Sequence, residues 1–535
     1  MNNADLLVKT LKTAGIARGF GVPSGNVLPL MEAMRLGGIQ FVLTAHEGSA
    51  GFAADVTARM SGVPGLCIAT LGPGATNLTT GVGGAYLDRS PLIAITCTLN
   101  QKQLGHRIQM WIDHQALFKP ITKASVILRS GHIVAAVTEA IKLSLTEPQG
   151  PVHLDLPEDV ALALADEPAP SLPPPQAPPL QRATSTMLET AADLISRAKH
   201  PIAVIGTSAM RMRNPEKLLE FIEHHQIPFM STTMAKGLID ESHPLSLGCI
   251  ERAMRKVQRK FIQNADLIIG LGYDTIEVEY EAWTGDVPVL HVDIEPVDTI
   301  GSLCLAHQVI GELDFSITSL ANIKKTKNSW IAADISNHVK LFQLALRPHT
   351  AHFSPHQAID VVRAVLPREG ILAFDVGAHT HQIASQWTTY APKTFLITNG
   401  WSSMGFGIPA AIAAKMACRE LPVVCIVGDG CFQMTCGEIA VAKREGLAIP
   451  FVVLDDRWLS LIKVKQERRE LDLYGTELSK LEYDDPPAHY FGVPAFGVRD
   501  PIQLERQLRL ALQCTGPTVI EAVVDPSEYS ITVFD

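Results

Sequence analysis

The chain has 535 residues, room for roughly three domains of ~150 residues, and 47% of it is hydrophobic, which supports large buried cores and excludes a small binding module. Against 45 Lys and Arg stand 55 Asp and Glu, a formal charge of −10 with only 19% of residues charged. Nucleic acid is excluded as a partner on that balance, because phosphate-backbone binders concentrate positive charge on a face or tail.

The N-terminal stretch MNNADLLVKTLKTAGIARGF lacks a basic n-region, an apolar run and a small-residue cleavage site, so no secretory signal is expected and the chain reads as cytoplasmic. Next come an apolar strand, FVLTA, and a helical pattern, GSAGFAADVTARMSG (48–62). The longest uncharged run, Met60 to Leu87, is long enough to span a membrane but is rich in Gly and Thr and holds two prolines. A buried strand, a Gly-rich loop and a helix are expected there, and no membrane. The runs PGLCIAT (64–70) and PLIAITC (91–97) read as buried strands. Ala165 to Gln181, ADEPAPSLPPPQAPPLQ, forms neither helix nor central strand and is predicted to be an extended linker. Beyond it the alternation of strands and helices returns, with HPIAVIGT, ADLIIGLG and VPVLHVDI, and again after Ser354 with GILAFDVG, PVVCIVGDG and IPFVVLDD.

Near-continuous apolar strands separated by helices are the signature of parallel sheets covered on both faces. The predicted fold class is therefore α/β, with three doubly wound parallel-sheet domains. The expected boundaries are 1–165, a proline-rich linker at 166–182, a central domain at 183–335 and a C-terminal domain at 350–535. Nine scattered cysteines with no CxxC pair read as reduced, mostly buried thiols.

The sharpest motif is VVCIVGDGCFQMT (423–435), an apolar strand running into Gly428, Asp429 and Gly430. Ligands of open parallel sheets gather at the carboxyl ends of strands, the glycines allow close backbone approach, and the carboxylate is a hard oxygen ligand. The next strand, IPFVVLDDRWLSLIK, brings Asp455 and Asp456 to the same edge. Carboxylates side by side repel unless a cation sits between them, so a metal is expected.

These residues resemble the motif of thiamine diphosphate enzymes, in which GDG is followed some two dozen residues later by two asparagines; here 24 residues separate Gly430 from an Asp-Asp pair. The resemblance implies that Asp429, Asp456 and the backbone carbonyl of Trp458 hold Mg²⁺, which holds the diphosphate. It extends along the chain through GFGVPSGNVLPL, AHEGSAGFAADVTARMSGVPG, LGPGATNLTTGVGGAYLDRSPLIAITC, GPVHLDLPEDV, AKGLIDESHPLSLG, LHVDIEP and SSMGFGIPAAIAAKMA, which are similar in order to segments of acetolactate synthases and related decarboxylases. A pyrimidine-binding domain, a central domain of nucleotide-binding type and a diphosphate-binding domain are implied.

By the same resemblance Glu47 is the catalytic carboxyl, hydrogen-bonding the aminopyrimidine ring and favouring the tautomer that deprotonates the thiazolium. Such work needs a carboxyl shielded from water. Pro23, Pro73 and Asn77 match loops around the pyrimidine, and Met404 matches the apolar residue that bends the cofactor. Gly377, Ala378 and His379 match the segment facing the diphosphate, and Cys431 is placed to offer it a backbone N–H. Gly25 and Asn26 lie at the substrate end; where decarboxylases of the family carry an acid, Gly25 carries none, which favours carboligation over simple decarboxylation. His106 and Gln109 lie where the family reaches toward substrate, one residue out of the synthase spacing.

The implied activity is thiamine diphosphate- and Mg²⁺-dependent decarboxylation of a small 2-oxo acid, pyruvate foremost, with ligation of the two-carbon unit to an aldehyde or ketone acceptor. A non-oxidative 2-oxo acid decarboxylase or C–C lyase with the same cofactor is the alternative. FAD is doubtful, because 248–273 lacks the glycine-rich and arginine-containing segments of the flavin-dependent synthases. A homodimer or homotetramer is implied, since in this family the pyrimidine and diphosphate halves of a site come from different subunits.

Overall fold

The computed structural model describes residues 1–170, 177–325, 328–479 and 485–534. Three sheets are each wound on both sides by helices. The first contains β1 (Arg18–Gly21), β2 (Gln40–Leu43), β3 (Gly65–Thr70), β4 (Leu92–Thr98), β5 (Ala124–Ile127) and β6 (Pro151–Pro157), in the order β2-β1-β3-β4-β6-β5 and parallel throughout. Every residue of β4 and β6 is buried, as both-face coverage requires.

The second sheet contains β7 (Pro201–Ile205), β8 (Phe229–Ser231), β9 (Ser246–Cys249), β10 (Leu267–Leu271), β11 (Val289–Asp293) and β12 (Leu305–Ile310), ordered β12-β11-β10-β7-β8-β9. In the third, β13 (Ile371–Phe374), β14 (Phe395–Leu396), β15 (Val423–Gly428), β16 (Pro450–Asp455), β17 (His489–Tyr490), β18 (Val493–Val498) and β19 (Thr518–Val523) run β14-β13-β15-β16-β19-β18-β17. Its one departure from parallel pairing is the edge hairpin of β17 on β18, whose two strands are too close in sequence for a crossover.

Winding reverses between β1 and β3 in the first sheet and between β13 and β15 in the third, and a crevice opens beyond the strand ends at each reversal. Pro23, Glu47 and Pro73 follow β1, β2 and β3, and Gly377, Asp429 and Asp456 follow β13, β15 and β16. Topology alone thus gathers the two sets of residues singled out in the sequence.

Two helices of the first domain, Glu47–Ser61 and Pro73–Leu87, touch backbone to backbone: a Cβ on Gly51 would lie 2.7 Å from Gly81 Cα. The opposite side of Glu47–Ser61 packs on the Gly407–Ala417 helix of the third domain, and one hydrophobic core runs through both domains. Phe52 meets Phe406 edge to face with ring centroids 5.6 Å apart. Beside it lies a buried ionic network. Arg59 pairs with Asp55 and Asp88, and Asp88 also accepts from the Thr398 hydroxyl and the amides of Asn399 and Gly400.

Residues 171–176 of the expected proline linker lie outside the described residues. Ahead of them, Glu167 accepts the amides of Ile133 and Val134 and so caps the Ile133–Leu145 helix. The Ala332–Ala345 helix, which runs past the expected end of the central domain at 335, packs on β9 and on the Arg255–Ile262 helix. Among the described residues no helix is long and apolar enough to cross a membrane.

Candidate active site

Glu47 is the first residue of its helix, and His46 caps that helix by accepting the Gly48 amide on Nδ1 at 3.0 Å. The Glu47 side chain is 8% exposed, and its Oε2 accepts from Asn77 Nδ2 at 3.0 Å. Asn77 sits in the second turn of the neighbouring Pro73–Leu87 helix. A Cβ on Gly74 would lie 3.3 Å from Glu47 Oε1, so glycine lets that helix start close against the carboxyl. Pro23 and Gly25 are exposed at the mouth of the same crevice, with nothing within 4 Å of a Cβ built on Gly25. Asn26 is half-buried and donates to Glu158 at 3.3 Å.

His106 and Gln109 are exposed, in the irregular stretch leading to the short His114–Phe118 helix. That stretch does reach the site: a Cβ on Gly72 would lie 2.3 Å from the Met110 carbonyl oxygen, so the loop abuts the turn before Pro73.

At the third sheet, Asp429 begins the Asp429–Thr435 helix directly after β15. Its carboxylate accepts the amides of Gly430 at 2.8 Å and Arg457 at 2.7 Å. Asp456, buried, accepts from the Trp458 amide and the Ser460 hydroxyl. Burial pushes both carboxyls above the usual carboxylate range, and for Asp429 the neighbouring Asp456 and Asp455 push further. His379 lies across the ends of β13 and β15, in space that exists because Gly377 and Gly428 lack side chains; a Cβ on Gly428 would lie 3.0 Å from its ring. Its Nε2 is buried and has no hydrogen-bond partner. Ala378 is buried beside it, and Met404 is half-buried with its Cε 3.3 Å from where a Gly430 Cβ would be. Cys431 turns its thiol inward, onto the Val376 carbonyl at 3.0 Å.

This half suits a metal-bound diphosphate. Two acidic side chains raised by burial and by each other are relieved by a cation, and an orphaned imidazole nitrogen is relieved by a phosphate oxygen. Among the described residues no three His, Cys, Asp or Glu side chains converge on one metal position. Mg²⁺ takes one or two carboxylates and fills its remaining positions with phosphate, carbonyl or water oxygens, and Asp429 and Asp456 are donors of that kind.

Three carboxylates without a role in the sequence reading organise the two halves. Asp375, fully buried after β13, accepts the amides of Gly405 and Gly407 at 2.9 and 2.8 Å and so fixes the turn that presents Met404. Asp88 fixes the strand of chain leading into that turn. Glu438, 1% exposed, accepts the amides of Ala45 and His46 just ahead of Glu47, and burial raises its carboxyl above the usual range. A signal was present for two of them, an acid inside an otherwise apolar segment, FDVG for Asp375 and GEIAVA for Glu438, whereas Asp88 stands beside Arg89 in YLDRS with no such mark.

Three family models match the chain: the thiamine pyrophosphate enzyme N-terminal TPP binding domain over residues 1–117, the central domain over 188–320 and the C-terminal TPP binding domain over 375–522. A probable acetolactate synthase large subunit of Methanococcus aeolicus is 31% identical, the match covering 98% of this chain and 92% of that protein. The acetolactate synthase large subunit of Lactococcus lactis is 30% identical over 99% and 93% of the two chains, and the isozyme 1 large subunit of Escherichia coli 29% over 98% and 94%. With both halves of the site built at the strand ends those domains supply, the chain belongs to the thiamine pyrophosphate enzyme family and is related along its length to acetolactate synthase large subunits.

Proposed function

We propose that the protein is an acetolactate synthase-like carboligase: it decarboxylates pyruvate and joins the remaining two-carbon unit to the carbonyl of an acceptor, releasing CO₂. With pyruvate as acceptor, two pyruvates and one proton give 2-acetolactate and CO₂. The observation that carries this reading is the buried Glu47 carboxyl held by Asn77 beside the open Gly25 crevice. Thiamine diphosphate, when bound, supplies the electron sink for the carbanion chemistry.

The chain's own residues do the rest. Glu47 would hold a proton at the pyrimidine end of the cofactor, Asn77 fixes its rotamer, and Pro23 and Pro73 shape the crevice. Met404 would pack against the bound cofactor. Asp429, Asp456 and the Trp458 carbonyl would hold Mg²⁺, while His379, Gly377 and Ala378 would face the diphosphate. No acid stands at Gly25 to supply a proton, which favours ligation to an acceptor carbonyl over release of a free aldehyde. His106 and Gln109, exposed at the crevice mouth, would meet substrate.

A homodimer or homotetramer follows from the same reading. Within one chain the contacts of Glu47 and of Asp429 stay in their own domains, and large apolar side chains stand exposed around the two halves, including Leu28, Met110, Trp401 and Met434. All nine cysteines are free, as suits a reducing cytoplasm. A structural flavin is not part of this reading, since 248–273 lacks the glycine-rich and arginine-containing segments of the flavin-dependent synthases.

The test is product analysis after reconstitution with thiamine diphosphate and Mg²⁺, with pyruvate alone and then with added aldehydes and 2-oxo acids. Ligated hydroxyketo products are expected. CO₂ with free aldehyde and no ligated product would refute the carboligase.

A further inference from the structure

Behind the crevice of the first domain lies a buried polar chain that the chemistry above does not use. Asp155 on β6 and Thr96 on β4 stand opposite each other in register, and His114 opens the short His114–Phe118 helix over them. All three are nearly sealed from water. His114 Nε2 accepts the Gly72 amide at 3.2 Å, so that nitrogen carries no proton. Nδ1 therefore carries the ring's proton and donates it to Asp155 Oδ1 at 2.9 Å. Asp155 is itself anchored by the Thr96 hydroxyl at 2.6 Å and by the Gln115 amide. Burial alone would raise the Asp155 carboxyl, and the combined influence of His114, then His153 and Thr96, more than reverses that, leaving it below the usual range.

What His114 grips is the cap of the Pro73–Leu87 helix. Gly72 has φ 60° and ψ −109°, a conformation open only to glycine, and its carbonyl accepts the Thr76 amide that starts the helix. One turn on, Asn77 holds the Glu47 carboxyl, and Gly74 sits against its other oxygen. On the other side, the Met110 carbonyl presses on Gly72, and Met110 itself has φ 66°. Both the cofactor-facing turn and the substrate-facing loop therefore meet at the amide that His114 holds.

We propose that His114, oriented by Asp155, is a positioning residue: its bond to the Gly72 amide sets the start of the Pro73–Leu87 helix and thereby the placement of Asn77 and Glu47. The kinetic half of this inference rests on the function proposed above; the structural half does not.

Two near-isosteric replacements separate the histidine's two bonds. Gln places an oxygen where Nε2 stands and keeps an acceptor for the Gly72 amide, whereas Asn places its amide where Nδ1 stands and keeps only the bond to Asp155. Amide hydrogen exchange over residues 71–78 is measured on the chain without cofactor, and kcat and KM for pyruvate on the reconstituted enzyme. His114→Asn is expected to lose protection over 71–78, with β4 and β6 unchanged, and to lose about 10–10²-fold in kcat, the scale of an ångström-level misplacement. KM for pyruvate should stay within about threefold. His114→Gln is expected to recover both protection and most of the rate. Equal behaviour of the two variants, or loss of rate with unchanged protection over 71–78, overturns the proposal. A parent enzyme without thiamine diphosphate-dependent turnover refutes the proposed function instead, and leaves the exchange comparison to decide the role of His114.

Discussion

Replacing Glu47 by Gln tests the centre of the site with little change of shape. The Gln side chain keeps an oxygen for the 3.0 Å bond from Asn77 and fits the same space beside Gly74, so packing is preserved. What disappears is the capacity to take up and release a proton. A positioned acid–base group contributes about 10²–10⁴-fold, so kcat should fall by that factor, or ~2.7–5.4 kcal/mol at about 1.36 kcal/mol per decade. Converting a charge-assisted hydrogen bond to a neutral one costs about 1 kcal/mol of stability, which leaves the fold intact. Steady-state formation of ligated product under saturating thiamine diphosphate and Mg²⁺, alongside a melting curve of each protein, makes the comparison. Turnover of the Gln variant within tenfold of the parent, with a normal melt, would show that Glu47 is not the proton-handling group.

Three further outcomes are expected. Asp456→Asn should raise the melting temperature of the cofactor-free protein by about 2–4 °C, the equivalent of ~1 kcal/mol, because it removes a buried negative charge beside Asp429 while keeping partners for the Trp458 amide and Ser460. In the same scanning fluorimetry the gain on adding Mg²⁺ should shrink; an unchanged gain speaks against Asp456 as a ligand. Asp88→Ala strands Arg59, Thr398 and two backbone amides between the first and third domains, a loss of about 3–5 kcal/mol by analogy with broken buried pairs; a denaturation midpoint equal to that of the parent contradicts this. His153 is held neutral by complete burial, its pKa pushed down to about 3. The unfolded chain binds this proton below about pH 6.5 and the folded chain does not until about pH 3, so stability falls as pH falls through that window, by up to ~1.4 kcal/mol per unit. Urea titrations across it should be steeper in pH for the parent than for His153→Gln, and parallel slopes refute the assignment.

Sheet composition and site location were legible from the sequence because both follow from pattern. Runs such as LIAITC and VVCIVG are apolar on both faces, which only a covered parallel strand tolerates, and GDG after such a run marks a strand end. The positions of Glu47 and Asp429 followed from those ends. What escaped was whatever depends on chain segments distant in sequence. Nothing near Glu438 announces that its carboxylate receives amides 392 and 393 residues earlier. The link between His114 and Gly72 is likewise invisible until β3, β4 and β6 are laid side by side. Charged residues inside apolar segments were the one available hint, and a sequence shows their burial without showing their partners.

The contact of Gly51 with Gly81 carries a lesson for anyone altering this protein's substrate range. Neither glycine hydrogen-bonds the Glu47 carboxyl, yet the smallest added side chain would wedge apart the two helices whose N-terminal halves bear Glu47 and Asn77. Variation there is closed even to alanine, while the exposed stretch holding His106 and Gln109 is open to it. A library that randomises the loop and leaves the crossing untouched keeps Glu47 and Asn77 where they are while varying the crevice mouth.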